Sequence, residues 1–550
     1  MSAPARPALT IEYDRAGRLW FFAVLVVGAG LRAWQWLAKA PLWIDELALT
    51  NGLLSGSFTG LFDNHSDFAQ VAPPGFLALE WLISRVAVGS DLALRAPSFL
   101  FSTAGVAATW FAAREFVGER DAWVAPAFVA LGTHLVLMSG QVKSYGADVF
   151  FAALMVGCVL LHDRAATARS WRMLIAIGMA APLFSFGAVF VLAGVGTFLL
   201  VRSRWRVAEL RRLGLPFAAW AVATFVCVML SRRLLSPEAH AMLNEYWKDS
   251  FPVIPPRSPA DLMWPWRRVL TLLWSLMGLR GVWLFGVGLV AGAVIAWRQQ
   301  PARVALLLIP VATALATAAL RQYPFGPRVL HWTVPILALL LTVLASWMAA
   351  WIRPRARMFS LLPAMGMLAT PAMTLIASPP PYWRDDIRPI IARLSEEGRP
   401  GDGLYLYWGA WHSWQRYGGT VATTLGDVYQ GGCPQDYPRG FLKEVDRFRG
   451  QPRAWFLFSR VQSAEALATL LRYLDTIGVQ RDSLIVEAPG VDYSARVDLY
   501  RYDLSDSSRL ALADADRFPI AADLVRREAG CLNIDAMMRR GDGRRVVTFF

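Results

Sequence analysis

The chain has 550 residues, 55% of them hydrophobic and only 17% charged, with a mean hydropathy of +0.38. That apolar excess excludes an ordinary soluble protein and points to many membrane spans. The net charge of +14 comes almost wholly from arginine, since only Lys39, Lys143, Lys248 and Lys443 are lysines. It is spread between apolar runs, which argues against a nucleic-acid partner and fits basic membrane loops or the handling of phosphates and anionic lipids.

The first apolar run, Leu19 to Ala38, is long enough to span and has no small-residue cleavage site after it, so it reads as a span and not as a signal peptide. Ten more spans are predicted at 93–113, 123–139, 147–162, 172–186, 188–201, 215–231, 281–297, 303–320, 329–351 and 358–377. The stretch 172–201 reads as two short passes because basic loops flank it on both ends. Arg114 and Arg120, then Arg164, Arg169 and Arg172, then "RSRWRVAELRR" (202–212), "RQQPAR" (298–303) and "RPRAR" (353–357) all fall on the side of the N-terminus. The positive-inside rule makes that side the cytoplasm, and about eleven spans put the C-terminus outside.

The outside segments are unusual. In the first loop, 39–92, "PLWIDELALTNG" reads as a short helix starting near Asp45, with acids in its first turn. "QVAPPGFLALEWLISRVAVG" has an apolar face broken by Glu80 and Arg85 and reads as a helix along the membrane surface. A second outside loop covers 232–268, and "RQYPFGPR" (321–328) is a third. After the Pro-rich "ASPPPYW" (377–383) the character changes. Helix-like 385–398, strands 404–409 and 453–459, helices 437–449 and 463–478, strands near 483–487 and 495–502, and a last strand "RRVVTFF" predict a small α/β domain over 379–550. The expected fold is thus a polytopic α-helical membrane domain, 1–378, followed by a soluble extracytoplasmic α/β domain. Cys158 and Cys227 sit in apolar runs and read as packing residues, whereas Cys433 and Cys531 could pair if their region is outside the cytoplasm.

Three clusters could carry chemistry. Asp45 and Glu46 are either a solvated helix start or a catalytic base held at the membrane, where Trp43 and the bilayer would desolvate one acid and raise its pKa. "SGQVKSYGADVFF" (139–151) packs Gln141, Lys143, Tyr145 and Asp148 at the outer end of two spans. Lys143 is a point charge suited to phosphate, unless it forms a tether with Asp148. "YPFGPR" offers Tyr323 and Arg328, the latter able to grip a phosphate bidentately or to anchor the loop at the interface. His65, between Asp63 and Asp67, suits either a metal or, more simply, a solvated turn, and His134 and His331 read as packing residues. No phosphate-cradling Gly-rich loop, zinc spacing or serine-nucleophile motif is present, so ATP-driven transport and hydrolase chemistry lack support.

The order of these motifs is familiar. An acid-bearing first outside loop precedes "APPGF" (72–76) and "ALRAPS" (93–98), then "QVKSYGADVFF", then "YPFGPR" and a soluble domain. Over roughly 15–350 this resembles the C-type-fold membrane glycosyltransferases, closest to the dolichyl-phosphate-mannose protein mannosyltransferase-like branch, which includes bacterial enzymes that modify lipid A, lipopolysaccharide or proteins. The resemblance implies a bacterial inner-membrane enzyme that moves a sugar from a polyprenyl-phosphate donor to a glycolipid, glycan or protein acceptor on the outer face, by inversion. It implies Asp45 as the base with Glu46 supporting or sharing the role, and Lys143 and Arg328 as phosphate ligands with Tyr145 and Gln141 beside them. Asp148, Tyr323 and His65 are possible supporting residues. Some related enzymes use a divalent metal, although nothing in this sequence demands a cofactor. One departure is Ala72, where lipid A arabinosyltransferases place a Lys before the Pro pair, which argues against the aminoarabinose reaction. Two rival readings remain: a transporter or flippase of lipid-linked sugars, which predicts polar residues at mid-span, and a non-catalytic membrane scaffold, which predicts a silent first-loop acid.

Overall fold

The structure is a computed structural model. It describes residues 14–520 apart from 56, 63–70, 235–242, 420, 433–438, 462 and 488–495. Three sequence readings lie outside the described residues: the Asp63–His65–Asp67 cluster, the Cys433–Cys531 pair and the strand at 544–550.

Helices occupy all eleven predicted span segments. Among the described residues, seven helices are long and apolar enough to cross a membrane: Arg15–Leu37 (α1), Tyr145–Ala165, Val207–Arg233, Val282–Gln299, Pro301–Ala319, Thr333–Ile352 and Met358–Ala377. Tyr145–Ala165 and Thr333–Ile352 form the centre of the bundle, and the outer helices turn Phe22, Val26, Phe225 and Leu284 outward as an apolar rim. Such a surface suits lipid and would be costly in water.

Two local features differ from, or explain, the sequence reading. The predicted span 123–139 is two helices, Val124–Leu131 and Thr133–Ser139. Gly132 between them is extended (φ −62°, ψ 109°), and a Cβ there would lie 3.0 Å from the Leu276 carbonyl oxygen. The helix therefore breaks where another chain segment presses in. The stretch 172–201 is two helices, Ala168–Phe184 and Ala188–Ser203, as predicted. Their turn needs Gly187, because a Cβ there would come within 2.0 Å of the Trp332 indole.

The first loop carries helices Ile44–Ser55 (α2) and Pro74–Val86 (α3). Glu46 accepts a hydrogen bond from the Trp43 backbone N–H at 3.2 Å, one half of a capping arrangement at the start of α2. Pro74 begins α3, where its missing N–H costs nothing.

The C-terminal domain is a five-stranded mixed sheet in the order β2-β1-β3-β5-β4, with strands Gly403–Leu406 (β1), Asp427–Gln430 (β2), Ala454–Ser459 (β3), Val479–Val486 (β4) and Val497–Asp503 (β5). β1, β2 and β3 are parallel, and β5 runs antiparallel to both β3 and β4. Helices Arg388–Glu397 and Ala464–Ile477 cover it. The domain clamps the first loop. Trp43 and Ile44 belong to its hydrophobic core beside Tyr405, Tyr407 and Phe458. Tyr417 accepts a hydrogen bond from the Leu42 N–H at 2.8 Å, and the Gln35 amide makes two 2.7 Å bonds to the Tyr382 backbone.

Candidate active site at the start of α2

Asp45 is fully buried, in the first turn of α2. Its Oδ2 is ion-paired with Arg328 of the "YPFGPR" loop. Its Oδ1 is buried with no hydrogen-bond partner among the described residues. Lys143 and Arg460 add their charges to that of Arg328 at this carboxylate. Burial raises the carboxyl pKa, but Arg328, Lys143 and Arg460 together outweigh it and hold Asp45 below the usual carboxylate range. The sequence led us to expect the opposite direction. Desolvation was legible there, and the three cations, which come from distant segments, were not.

The neighbouring acid does different work. Arg95, from "ALRAPS", donates Nε to Glu46 Oε1 at 2.9 Å and Nη2 to Oε2 at 2.6 Å. The Val142 N–H adds a 2.8 Å bond to the same carboxylate. Arg95 also grips the carbonyls of Ala40 and Pro41. Glu46 is thus a buried, saturated tie joining α2 to the "QVKSYG" segment, with no lone pair left over for a strong new acceptor contact. A raised carboxylic acid of the region is Glu80 on α3, pushed well up by burial and then by the charge of Glu46. Both of its oxygens are buried without partners among the described residues.

The structure brings Lys143, Tyr145 and Arg328 to Asp45. Lys143 is buried, and that burial lowers its ammonium to about 8, with Asp45 opposing the shift. The Tyr145 hydroxyl faces the Arg328 guanidinium, and its ring stacks on His331 at 4.4 Å, which stacks in turn on His134 at 5.4 Å. Gln141 is buried in the same segment with Oε1 unpartnered among the described residues. Two further candidates are held by local hydrogen bonds. Asp148 accepts a hydrogen bond from the Ser185 hydroxyl at 2.6 Å, at the 185–187 turn, in place of the tether to Lys143 that the sequence allowed. Tyr323 donates to the Val329 carbonyl at 2.7 Å and closes its own loop. Ala72 is buried among Leu42, Leu47 and Phe76, so the wall there is apolar.

Sequence reasoning missed Arg95, Arg384 and Arg460. Arg384 lies in the linker just after "PPPYW", and Arg460 directly follows β3. With Arg328 they surround Trp43, their guanidinium carbons 4.9, 5.4 and 5.8 Å from its ring centroid for Arg384, Arg460 and Arg328. Arg95 could have been suspected from its motif. The other two carried no signal beyond being arginines.

The described residues around Asp45 do not form a divalent-metal donor set, and the Asp63–His65–Asp67 cluster lies outside them. Asp45 is ringed by cations, and no group of three His, Cys, Asp or Glu side chains able to hold a metal occurs among the described residues.

No family model and no curated protein matches this chain. Among solved structures it is similar to ArnT from Cupriavidus metallidurans bound to undecaprenyl phosphate, at 14% identity, covering 90% of this chain and 99% of that one with a TM-score of 0.49. It is also similar to the oligosaccharyltransferase of Archaeoglobus fulgidus in complex with Zn and sulfate, at 13% identity, covering 88% of this chain and 73% of that one with a TM-score of 0.48.

Proposed function

We propose that this chain is a membrane glycosyltransferase that moves a sugar from a polyprenyl-phosphate donor to a hydroxyl of a glycolipid, lipopolysaccharide, cell-envelope glycan or protein. The reaction takes place on the outer face of the membrane, with the N-terminus in the cytoplasm. The observation that carries this reading is Asp45: buried, one oxygen held by Arg328, the other unpartnered among the described residues, and cations gathered around it.

The chemistry follows from those groups. Lys143 and Arg328 receive the donor phosphate, and Tyr145 and Gln141 flank it. The acceptor hydroxyl donates to Asp45 Oδ1, which takes its proton as the oxygen attacks the anomeric carbon from the face opposite the phosphate; the anomeric centre inverts. In the empty site the surrounding cations make Asp45 a weak base. A bound phosphate draws part of that positive field to itself, and the Asp45 pKa rises toward the range of a useful base. Donor binding thereby prepares the carboxylate for the acceptor. Glu46, locked to Arg95 and Val142, positions α2.

The test uses purified full-length protein, a panel of polyprenyl-phosphate sugars with labelled headgroups, and a cell-envelope extract as acceptor. Label should enter the extract with one donor class for the wild type and not for Asp45→Asn. Equal labelling by Asp45→Asn, or no labelling from any donor, sinks the reading.

A further inference from the structure

The end of the bundle opposite Asp45 holds a cavity of about 610 Å³. It lies where helices Tyr145–Ala165 and Ala188–Ser203 end and helices Ala168–Phe184 and Val207–Arg233 begin. Tyr145 stands at the Asp45 site and Ala165 at the far end of the same 21-residue helix, so about 30 Å separates the two regions. Phe198, Leu199 and Leu213 are buried and give the cavity an apolar wall. Arg202, Arg204, Arg206 and Arg212 line it as well. Arg202 Nε donates to Asp163 at 2.6 Å, and Arg212 pairs with Glu209 at 3.4 Å. Arg204 and Arg206 make no ion pair among the described residues.

The turn that delivers these two arginines is unusual. Arg204 caps helix Ala188–Ser203 in the left-handed region (φ 50°), and Trp205 after it is left-handed too (φ 58°). Glycine is the usual residue at such a helix end. Here the position carries a guanidinium that lines the cavity, followed by a tryptophan that is 69% exposed. Val201 and Val207 on either side expose apolar side chains as well. Trp and Arg beside apolar helix faces mark the level where lipid tails give way to water. The cavity therefore sits at the level of lipid headgroups.

We propose that this cavity binds the phosphodiester headgroup of an anionic phospholipid, with Arg204 and Arg206 donating to the phosphate oxygens. The planar guanidinium fork matches two phosphate oxygens at once. The wall of Phe198, Leu199 and Leu213 covers the glycerol and the first methylenes of the acyl chains, which a phosphate without chains would leave bare. Basic pockets between spanning helices are a recurrent form of lipid-headgroup site. A zwitterionic lipid brings an ammonium group along with its phosphate, and the arginines of the lining repel it. The carboxylates of the lining, Asp163 and Glu209, are each already held by an arginine. Such a site needs nothing from the transfer reading above and stands whether or not that reading does.

The experiment takes delipidated full-length protein in a non-ionic detergent and titrates it with three probes: phosphatidylglycerol, phosphatidylcholine and glycerol phosphate. Native mass spectrometry gives the affinity for the first molecule bound. Wild type should bind phosphatidylglycerol most tightly. The test variant combines Arg204→Gly with Arg206→Gln. Glycine suits the left-handed position and neither substitution breaks an ion pair among the described residues, so the variant should melt no lower than wild type. It should bind phosphatidylglycerol about tenfold or more weakly, with phosphatidylcholine changed less than about threefold. Arg298→Gln with Arg355→Gln removes the same charge from two exposed positions in other basic loops and should leave both lipids unaffected. Unchanged phosphatidylglycerol affinity in the test variant, or an equal loss in the Arg298 and Arg355 pair, overturns the proposal. So does a wild type that binds phosphatidylcholine or chainless glycerol phosphate as tightly as phosphatidylglycerol.

Discussion

The two ends of the helical bundle treat charge differently. At the basic-loop end arginines are tied to carboxylates of neighbouring segments. Arg114 and Arg164 share Glu115 at 2.9 and 2.8 Å, Arg202 takes Asp163, Arg353 takes Asp121 and Arg18 takes Glu119. At the Asp45 end Arg328 holds one carboxylate oxygen, and the other, Oδ1, has no hydrogen-bond partner among the described residues. Glu115, by contrast, accepts on both oxygens. A carboxylate tied on both sides holds helices in register and needs nothing further, whereas a buried oxygen left without a donor is unfavourable until one arrives. Under the proposed transfer, that difference separates a reacting carboxylate from a bracing one.

The sharpest way to break this comparison is to neutralise the carboxylate with the unpartnered oxygen. Asp45→Asn keeps the shape and an oxygen that can accept from Arg328, and turnover in saturating donor should fall by about 10²–10⁴-fold. Near wild-type turnover would make Asp45 a brace like Glu115. Glu46→Gln tests the reverse. It leaves Arg95 buried without its counter-charge, so thermal unfolding should report a loss of about 3–5 kcal/mol. Turnover per folded molecule should fall much less than for Asp45→Asn. A stable Glu46→Gln with abolished turnover would exchange the two roles.

Smaller effects sharpen the picture. Lys143→Ala should weaken donor binding by about 1.5–3 kcal/mol, read by titration. Because burial holds the Lys143 ammonium at about 8, wild-type donor affinity should decline as pH rises through that value. A bound phosphate favours the charged ammonium, so the decline in the complex should be centred above that of the empty protein, and Lys143→Ala should lack it. Asp45 stays ionised over this whole window, since its folded pKa is depressed. The smallest effect belongs to the far end: Arg202→Gln removes a partly exposed pair and should cost at most about 1 kcal/mol of stability, with donor affinity unchanged.

The bundle was legible because apolar runs of spanning length have few alternatives, and the positions of β1 and β3 because both are short, aromatic and fully buried. β2 was not. "DVYQ" is four residues on a sheet edge, half exposed, with no apolar pattern to find. The break at Gly132 was hidden because only a tertiary neighbour, Leu276, reveals it. In the site, Lys143 and Arg328 stood out as charges beside apolar spans, and Asp45 through its motif. The direction of the Asp45 pKa was misread because it depends on Arg328 and Arg460, whose proximity is a product of the fold. Arg384 and Arg460 look in sequence like dozens of other arginines; only their meeting over Trp43 distinguishes them.

Trp43 and Ile44 lie near the beginning of the chain, yet the core they join is built from residues beyond 400. Synthesis proceeds from the N-terminus at about 5–20 residues per second, so Asp45 waits roughly 20–70 s before Arg384 leaves the ribosome, and longer for Arg460. Throughout that interval the loop has no core to enter and the carboxylate lacks part of its field. A chain that stops early, even with every span inserted, leaves Trp43 without its seat. The order of synthesis thus separates the making of the loop from the making of the core that seats it.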